Sequence, residues 1–227
     1  MEKKGRIILV PTPIGNLEDI SLRAIRILKE ADLIAAEDTR TSFKLLKHYG
    51  IETPRTALHQ HNEHQRIPSL LKQIATEQLH LAVITDAGTP GISDPGFLLV
   101  REARKAEIPV ETLPGATAFV PALVNSGLPC DRFVFEGFLP VKKGRHTRLE
   151  LLKEERRTMV FYESPYRLIK TLHNFISTFG SERQVSVSRE LSKIHEETIS
   201  GSLSYVHEYF SRGKVKGELV IVLAGKV

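Results

Sequence analysis

Along the first half of the chain, short apolar runs alternate with longer segments whose apolar residues recur at helical spacing. The runs Ile7–Val10, Leu33–Ala36, Thr56–His59, Leu81–Thr85 and Val110–Leu113 predict five strands. Helices are expected over Ser21–Ala31, Ser42–Tyr49, Ile67–Glu77 and Phe97–Ala106, with a further one, Ala116–Ser126, after the fifth strand. Gly50 sits where a helix-terminating glycine belongs. Strands separated by helices of this length imply parallel pairing through right-handed crossovers. After a strand at Phe133–Glu136, the turn Gly137-Phe138-Leu139-Pro140 reads as a linker. A helix over 142–157 follows. Strands at Thr158–Tyr162, Gln184–Ser188, Thr198–Ser200 and Glu218–Leu223 then alternate with helices at Tyr166–Phe179 and Leu203–Phe210. The pattern predicts two α/β domains, 1–138 with a mostly parallel sheet and 139–227 with a mixed one. There is no solenoid-length repeat and no low-complexity tract.

The polar residues are placed as informatively as the apolar ones. Each of the first five strands runs into a loop of unusual composition: Pro11–Asn16, Glu37–Arg40, His59–His64, Asp86–Gly96 and Pro114–Ala118. In an open parallel sheet these loops share one edge, outside the carboxyl ends of the strands, where ligands bind. The loop 86–96 is the sharpest, with Gly88, Gly91, Gly96, Pro90 and Pro95 setting a tight backbone that a ligand can approach closely. No G-x-G-x-x-G, G-x-x-x-x-G-K-[ST], G-x-S-x-G or H-E-x-x-H occurs, which weakens dinucleotide, P-loop, hydrolase and zincin readings. His59, His61 and His64 beside Glu63 are open to three readings: metal ligands, a polar substrate rim, or a solvated loop. Asp38 or Thr39 is equally suited to capping the next helix.

Composition narrows the class. Among 227 residues there is a single cysteine, Cys130, so no internal disulfide is possible and a reducing cytoplasm is expected. No apolar run approaches the length of a membrane span, and Met1–Arg6 carries no signal-peptide core. The net charge is +5, and the whole excess falls after residue 113. Its densest part contains Lys142, Lys143, Arg145, Arg148, Lys153, Arg156 and Arg157, a segment suited to polyanions and above all to nucleic acid, or equally to an ordinary solvated helix.

Several runs together resemble one family in order and over essentially the whole length. They are Thr12–Asn16, Glu37–Arg40, His61–Glu63, Thr85–Pro90, Ser93–Gly96, Leu113–Gly115, Gly137–Pro140, Phe161–Pro165, Arg189–Leu191 with Lys193, and His195–Glu197. That family is the ribosomal RNA small-subunit methyltransferase I group of the tetrapyrrole-methylase superfamily. Thr85 and Ser192 stand where a serine and a threonine are usual. Longer members continue past the last strand with a carboxyl-terminal extension.

The resemblance implies two α/β domains clasping S-adenosylmethionine, a homodimer, and transfer of the methyl to the ribose 2′-oxygen of a cytidine in the decoding region of small-subunit (16S) ribosomal RNA. Donor contacts carry over to Pro13, Asp86, Gly88, Ile92, Thr117 and Ala118, with Gly15, Ala87 and Pro90 in the same loops, and to Phe161, Tyr162 and Leu191 in the second domain. Methyl transfer of this kind needs no metal. By location and charge, Asp38 and Glu190 are candidate bases or hydroxyl orienters, with Arg40 and Lys193 as electrostatic partners. Arg40, His61, Asn62, Lys142, Lys143, Arg145 and Arg148 are candidate RNA contacts, expected to be mostly phosphate-directed because the chain has five tyrosines and no tryptophan. The expected substrate is the assembled small subunit. Three other readings compete: a methylase of a tetrapyrrole or diphthamide precursor on the same fold, a non-catalytic RNA-binding assembly factor, and a metal-dependent hydrolase on the histidine loop.

Overall fold

The computed structural model describes residues 5–226; the amino-terminal stretch read above as lacking a signal peptide lies largely outside the described residues, as does Val227. The chain forms two compact units, Met1–Thr117 and Ala118–Val227. No described helix is long and apolar enough to cross a membrane.

The first unit is a parallel sheet of β1 (Arg6–Leu9), β2 (Leu33–Ala36), β3 (Arg55–Ala57), β4 (His80–Ile84) and β5 (Val110–Thr112), in the order β3-β2-β4-β1-β5. Helices α1 (Leu22–Glu30) and α2 (Thr39–His48) cover one face, packing Ile27, Leu28, Leu45 and Leu46 on Ile8, Ile34, Ala82 and Ile84. Helices α3 (Glu63–Glu77) and α4 (Phe97–Lys105) cover the other, packing Ile67, Leu70, Ile74 and Leu99 on Ile7, Leu9, Ala35, Leu81 and Val83. Successive residues of a strand point to opposite faces, and here both faces are covered, so the strands read as continuous apolar runs. Caps set the helix starts: the Ser21 hydroxyl accepts from the Ala24 amide at 3.1 Å, and the Asp38 carboxylate from the Arg40 amide at 2.8 Å.

In the second unit the sheet order is β6-β7-β10-β8-β9, from β6 (Phe133–Phe138), β7 (Thr158–Glu163), β8 (Gln184–Arg189), β9 (Glu197–Ser202) and β10 (Leu219–Leu223). Only β6 and β7 pair parallel; the other pairings are antiparallel. Central β10 is buried along its whole length, which explains its unbroken Leu-Val-Ile-Val-Leu run. Helices α5 (Phe119–Asn125), α6 (Arg145–Leu152), α7 (Leu168–Phe179) and α8 (Leu203–Ser211) complete this unit, whose core centres on Met159, Phe161, Leu172, Phe175, Val206 and Ile221.

The units divide earlier than the expected 138/139 boundary. Phe133–Phe138 is hydrogen-bonded to β7, so the stretch read as a strand and linker is the edge strand of the second sheet. A bulge between Phe135 and Gly137 interrupts that pairing and re-aims Glu136, whose carboxylate receives both Nε and Nη2 of Arg148, at 2.7 and 2.8 Å. The helix expected over 142–157 is confined to Arg145–Leu152, because Gly144 at φ 83° leads into it from outside helical geometry.

Arg145 is buried. Its guanidinium donates to Thr171 Oγ1 at 2.7 Å, to Asn174 Oδ1 at 3.2 Å and to the Pro140 carbonyl at 3.3 Å, and lies 3.9 Å from Glu163. Glu163, also buried, accepts from Thr171 Oγ1 at 2.5 Å, from the Ser164 amide at 2.8 Å and from Arg167 Nε at 2.9 Å. Removing one partner of a buried pair leaves an uncompensated charge, at a cost of about 3–5 kcal/mol. Glu163→Ala is therefore expected to lower the urea-unfolding free energy by about that amount, against about 0.3–0.5 kcal/mol for breaking the exposed Arg26–Glu30 pair.

Candidate functional site

The order of strands in the first sheet creates the site. From β1 the chain moves outward to β2 and β3 with its helices on one face, then returns to β4 and on to β5 with its helices on the other. Adjacent β1 and β4 therefore send their onward chains to opposite faces, and a crevice opens at their carboxyl ends. Across it the loops are joined: the Thr12 amide donates to the Gly88 carbonyl and the Gly88 amide to the Thr12 carbonyl, both at 2.9 Å. Thr12 Oγ1 donates to the Thr85 carbonyl at 3.0 Å, and Thr89 Oγ1 to the Ala116 carbonyl at 3.1 Å. A side chain at Gly115 would lie 2.6 Å from the Pro11 ring, so glycine is required for the β1 and β5 loops to meet. Gly88 adopts φ +84°, a conformation that favours glycine.

Of the expected ligand-facing residues, Pro13, Gly15, Asp86, Ala87, Gly88, Pro90, Ile92 and Thr117 lie in these three joined loops. Gly15, Asp86 and Ile92 are exposed, whereas Gly88 and Pro90 are buried. Ala118 opens the second unit. Thr85 Oγ1, at the end of β4, is buried and has no hydrogen-bond partner among the described residues.

Carboxylates at the ends of β2 and β4 are linked through the backbone. The Asp38 amide donates to Asp86 Oδ1 at 3.3 Å, and the Asp86 amide to Glu37 Oε2 at 3.4 Å. Burial pushes the Glu37 carboxyl above the usual range, with the neighbouring Asp86 and Asp38 charges adding to it. Loss of solvent around its carboxyl raises Asp86 too, although the residue as a whole is exposed. Asp38 goes the other way: hydrogen bonds from the Arg40 side chain and backbone hold it down at about 2. Three neighbouring carboxylates thus differ in basicity, Glu37 and Asp86 raised and Asp38 lowered, and Glu37 is one that the sequence reading did not select as a base. Its signal was position, as the first residue after an all-apolar strand.

In the second unit, β7 and β8 are both antiparallel to β10, so their carboxyl ends share one edge, where Leu219 is registered with Glu163 on one side and Arg189 on the other. Tyr162, Glu190, Leu191 and Lys193 lie at that edge. Glu190 and Ser192 hold φ of 53° and 64°, uncommon for non-glycine residues. Glu190 Oε1 accepts from Lys193 Nζ at 2.8 Å and from the Glu218 amide at 2.9 Å, and the Lys193 bond lowers its pKa. Burial acts against the charge on Lys193, but its bonds to Glu190 and Glu218 outweigh burial and raise its pKa. The Phe161 side chain is in the core against Phe175, and Tyr162 packs on Phe135 and Phe138.

The basic segment presents less free charge than its composition suggests. Arg145 is a buried network residue and not a surface contact, and Arg148 is held by Glu136. Lys142 and Lys143 are exposed. In the loop after β3, Asn62 accepts from the His59 amide at 2.9 Å and donates to the Ala57 carbonyl at 3.2 Å, so it ties the loop together while His61 stays exposed. Among the described residues, no three His, Cys, Asp or Glu side chains are grouped as a metal site.

An α/β unit with a glycine-shaped rim at its switch point and a second unit with a mixed sheet fit a methylase of the tetrapyrrole type, and the sequence profile of the Tetrapyrrole (Corrin/Porphyrin) Methylases matches residues 6–206. Ribosomal RNA small subunit methyltransferase I of Pasteurella multocida is 49% identical over 98% of this chain and 80% of its own length. The protein of that name from Thermotoga maritima is 44% identical over 98% of this chain and 99% of its own length. A uroporphyrin-III C-methyltransferase from Thermus thermophilus, solved with S-adenosyl homocysteine, shares the fold with a TM-score of 0.65 at 20% identity, covering 97% of this chain and 92% of its own. The chain belongs to the tetrapyrrole methylases and, within them, to the ribosomal RNA small subunit methyltransferase I family.

The two strand-end carboxylates should be distinguishable by NMR titration. Asp38 is expected to titrate near 2, rising toward the ordinary aspartate range in Arg40→Ala, so its pairing is lost as pH falls through that value. Glu37 is expected to titrate above the ordinary glutamate range and to fall in Asp86→Asn, which removes a neighbouring charge but keeps the backbone bond. Because folding favours the neutral Glu37 carboxyl, any stabilisation from it is lost as pH rises through its folded-state pKa.

Proposed function

We propose that this chain transfers the methyl group of S-adenosylmethionine to the ribose 2′-oxygen of a cytidine in the decoding region of small-subunit (16S) ribosomal RNA, leaving S-adenosylhomocysteine. The joined Thr12–Gly88 rim at the switch point between β1 and β4 carries the reading. The names of the relatives supply its RNA side, and the solved neighbour's bound S-adenosyl homocysteine its donor side. Action on the assembled subunit, in the cytoplasm and as a homodimer, belongs to the same proposal.

The residues at the rim fit such a donor. The Gly88 turn lets the two loops meet, Asp86 offers a carboxylate and Ile92 an exposed apolar surface at the rim, and the orphaned Thr85 hydroxyl is a buried polar group. When bound, the sulfonium supplies an electrophilic methyl for in-line displacement at carbon. The joined loops would hold the donor in place for the acceptor oxygen, and such positioning is worth about 7–11 kcal/mol of barrier. Glu37, whose carboxyl burial makes more basic than an ordinary glutamate, takes the hydroxyl proton; Asp38 and Glu190 act as positioning residues that hold Arg40 and Lys193 toward phosphate.

Titration calorimetry with S-adenosylmethionine, and mass spectrometry of ribosomal RNA from small subunits lacking the modification and treated with enzyme, test the reading. One added ribose methyl is expected. Its absence, or a methyl on a tetrapyrrole instead, defeats it. Glu37→Gln should lower kcat by about 10²–10⁴-fold with donor Kd nearly unchanged, and Asp38→Asn should lower it less. The reverse order would return the base role to Asp38. Gly88→Ala should weaken donor binding, since a side chain in the left-handed region is strained by about 1–2 kcal/mol.

A further inference from the structure

We infer that the outward face of α2, with the first residue of the edge strand β3, is a stacking platform for an unpaired nucleotide of the RNA substrate: Phe43 is the stacking ring, and Arg55 and Lys47 are its phosphate partners. This rests on the RNA reading above and extends it to residues outside the donor rim.

Phe43 is 46% exposed on a helix whose other large apolar residues, Leu45 and Leu46, are buried in the core. The Arg55 guanidinium lies 5.0 Å from the centre of its ring and Lys47 Nζ 5.9 Å. Both distances are within cation–π range. Two cations held to one ring repel each other, and neither forms an ion pair with a carboxylate among the described residues. Most arginines elsewhere in the chain are paired: Arg101 with Glu102, Arg148 with Glu136, Arg157 with Glu155 and Arg189 with Glu197. The charge that this cluster lacks is an anion.

An aromatic face flanked by two unneutralised cations matches a nucleotide, whose base has a π-face and whose backbone carries the negative charge. The position of the cluster on the helix favours an extended strand. Arg40, Phe43, Lys44 and Lys47 are all exposed and recur at i, i+3, i+4 and i+7, forming a stripe about 10 Å long. The stripe begins at the end of β2, beside Glu37 and Asp38, so a strand lying along it leads to the crevice. A bland alternative is that Arg55 only guards an exposed sheet edge. That role would account for one cation but not for an aromatic ring and a second cation beside it.

The test uses the full chain with small subunits lacking the modification. Phe43→Leu should lower kcat/KM for the subunit roughly 5- to 100-fold, with Phe43→Tyr restoring it, because base stacking is carried by the ring. Arg55→Gln with Lys47→Gln should reduce the slope of log affinity against log salt by about 1.4, as two single-strand phosphate contacts are lost. Donor Kd and the unfolding midpoint should not move in any of these variants. Wild-type kcat/KM in Phe43→Leu, or an unchanged salt slope in the double variant, overturns the platform. If the unaltered enzyme methylates no ribosomal RNA, the RNA reading falls first and the platform with it.

Discussion

Two backbone hydrogen bonds between Thr12 and Gly88 bear most directly on what this molecule can do. They form an antiparallel bridge beyond the ends of the parallel β1 and β4, across the point where the onward chains part to opposite faces of the sheet. Right-handed crossovers force that parting: once the chain has gone outward through β2 and β3, its return to β4 must cross on the other face. The crevice is therefore a consequence of topology. What the two bonds add is rigidity, since the loops are joined to each other as well as to their strands. Gly88 at φ +84° and Gly115 against the Pro11 ring let the main chains come that close.

Around this rim the carboxylates are sorted by surroundings more than by type. Asp38 is exposed to its own helix start and to the Arg40 guanidinium, and is a weak base for that reason. Glu37, one residue earlier, points to a half-buried site beside Asp86 and keeps its proton to higher pH. In the second unit Glu190 is paired with Lys193, while Glu163 is enclosed by Arg145, Arg167 and Thr171. The last cluster is structural: a buried charge kept tolerable by partners, which makes Arg145 essential to the fold and unavailable to a ligand.

The same sorting changes the meaning of the net charge. The basic excess of the second half is partly internal, because Arg145 is buried and Arg148 and Arg157 are held by Glu136 and Glu155. In the first half, where acidic and basic residues balance, α2 nonetheless presents a stripe of exposed cations around Phe43. Net charge by segment and charge available at the surface are different quantities, and only the second steers a polyanion.

Much was legible in the order of residues alone. Hydrophobic periodicity depends on local geometry, so the five strands and four helices of the first unit, the loops at their carboxyl ends and the mixed character of the second sheet could be read without coordinates. Family membership could be read in the same way, because its motifs lie in those loops. Pairing, burial and contact between distant residues could not. Phe133–Phe138 looked like a strand leading into a linker until β7 was found beside it, and Arg145 looked like a surface cation until Glu163, Thr171 and Asn174 surrounded it. Arg40, which holds Asp38 down, is local in the chain, but the burial that raises Glu37 comes from the fold, beside an Asp86 that is remote in sequence and reaches β2 only through the sheet. Periodicity is set within a few residues, whereas the partner of a charge is chosen by the fold as a whole.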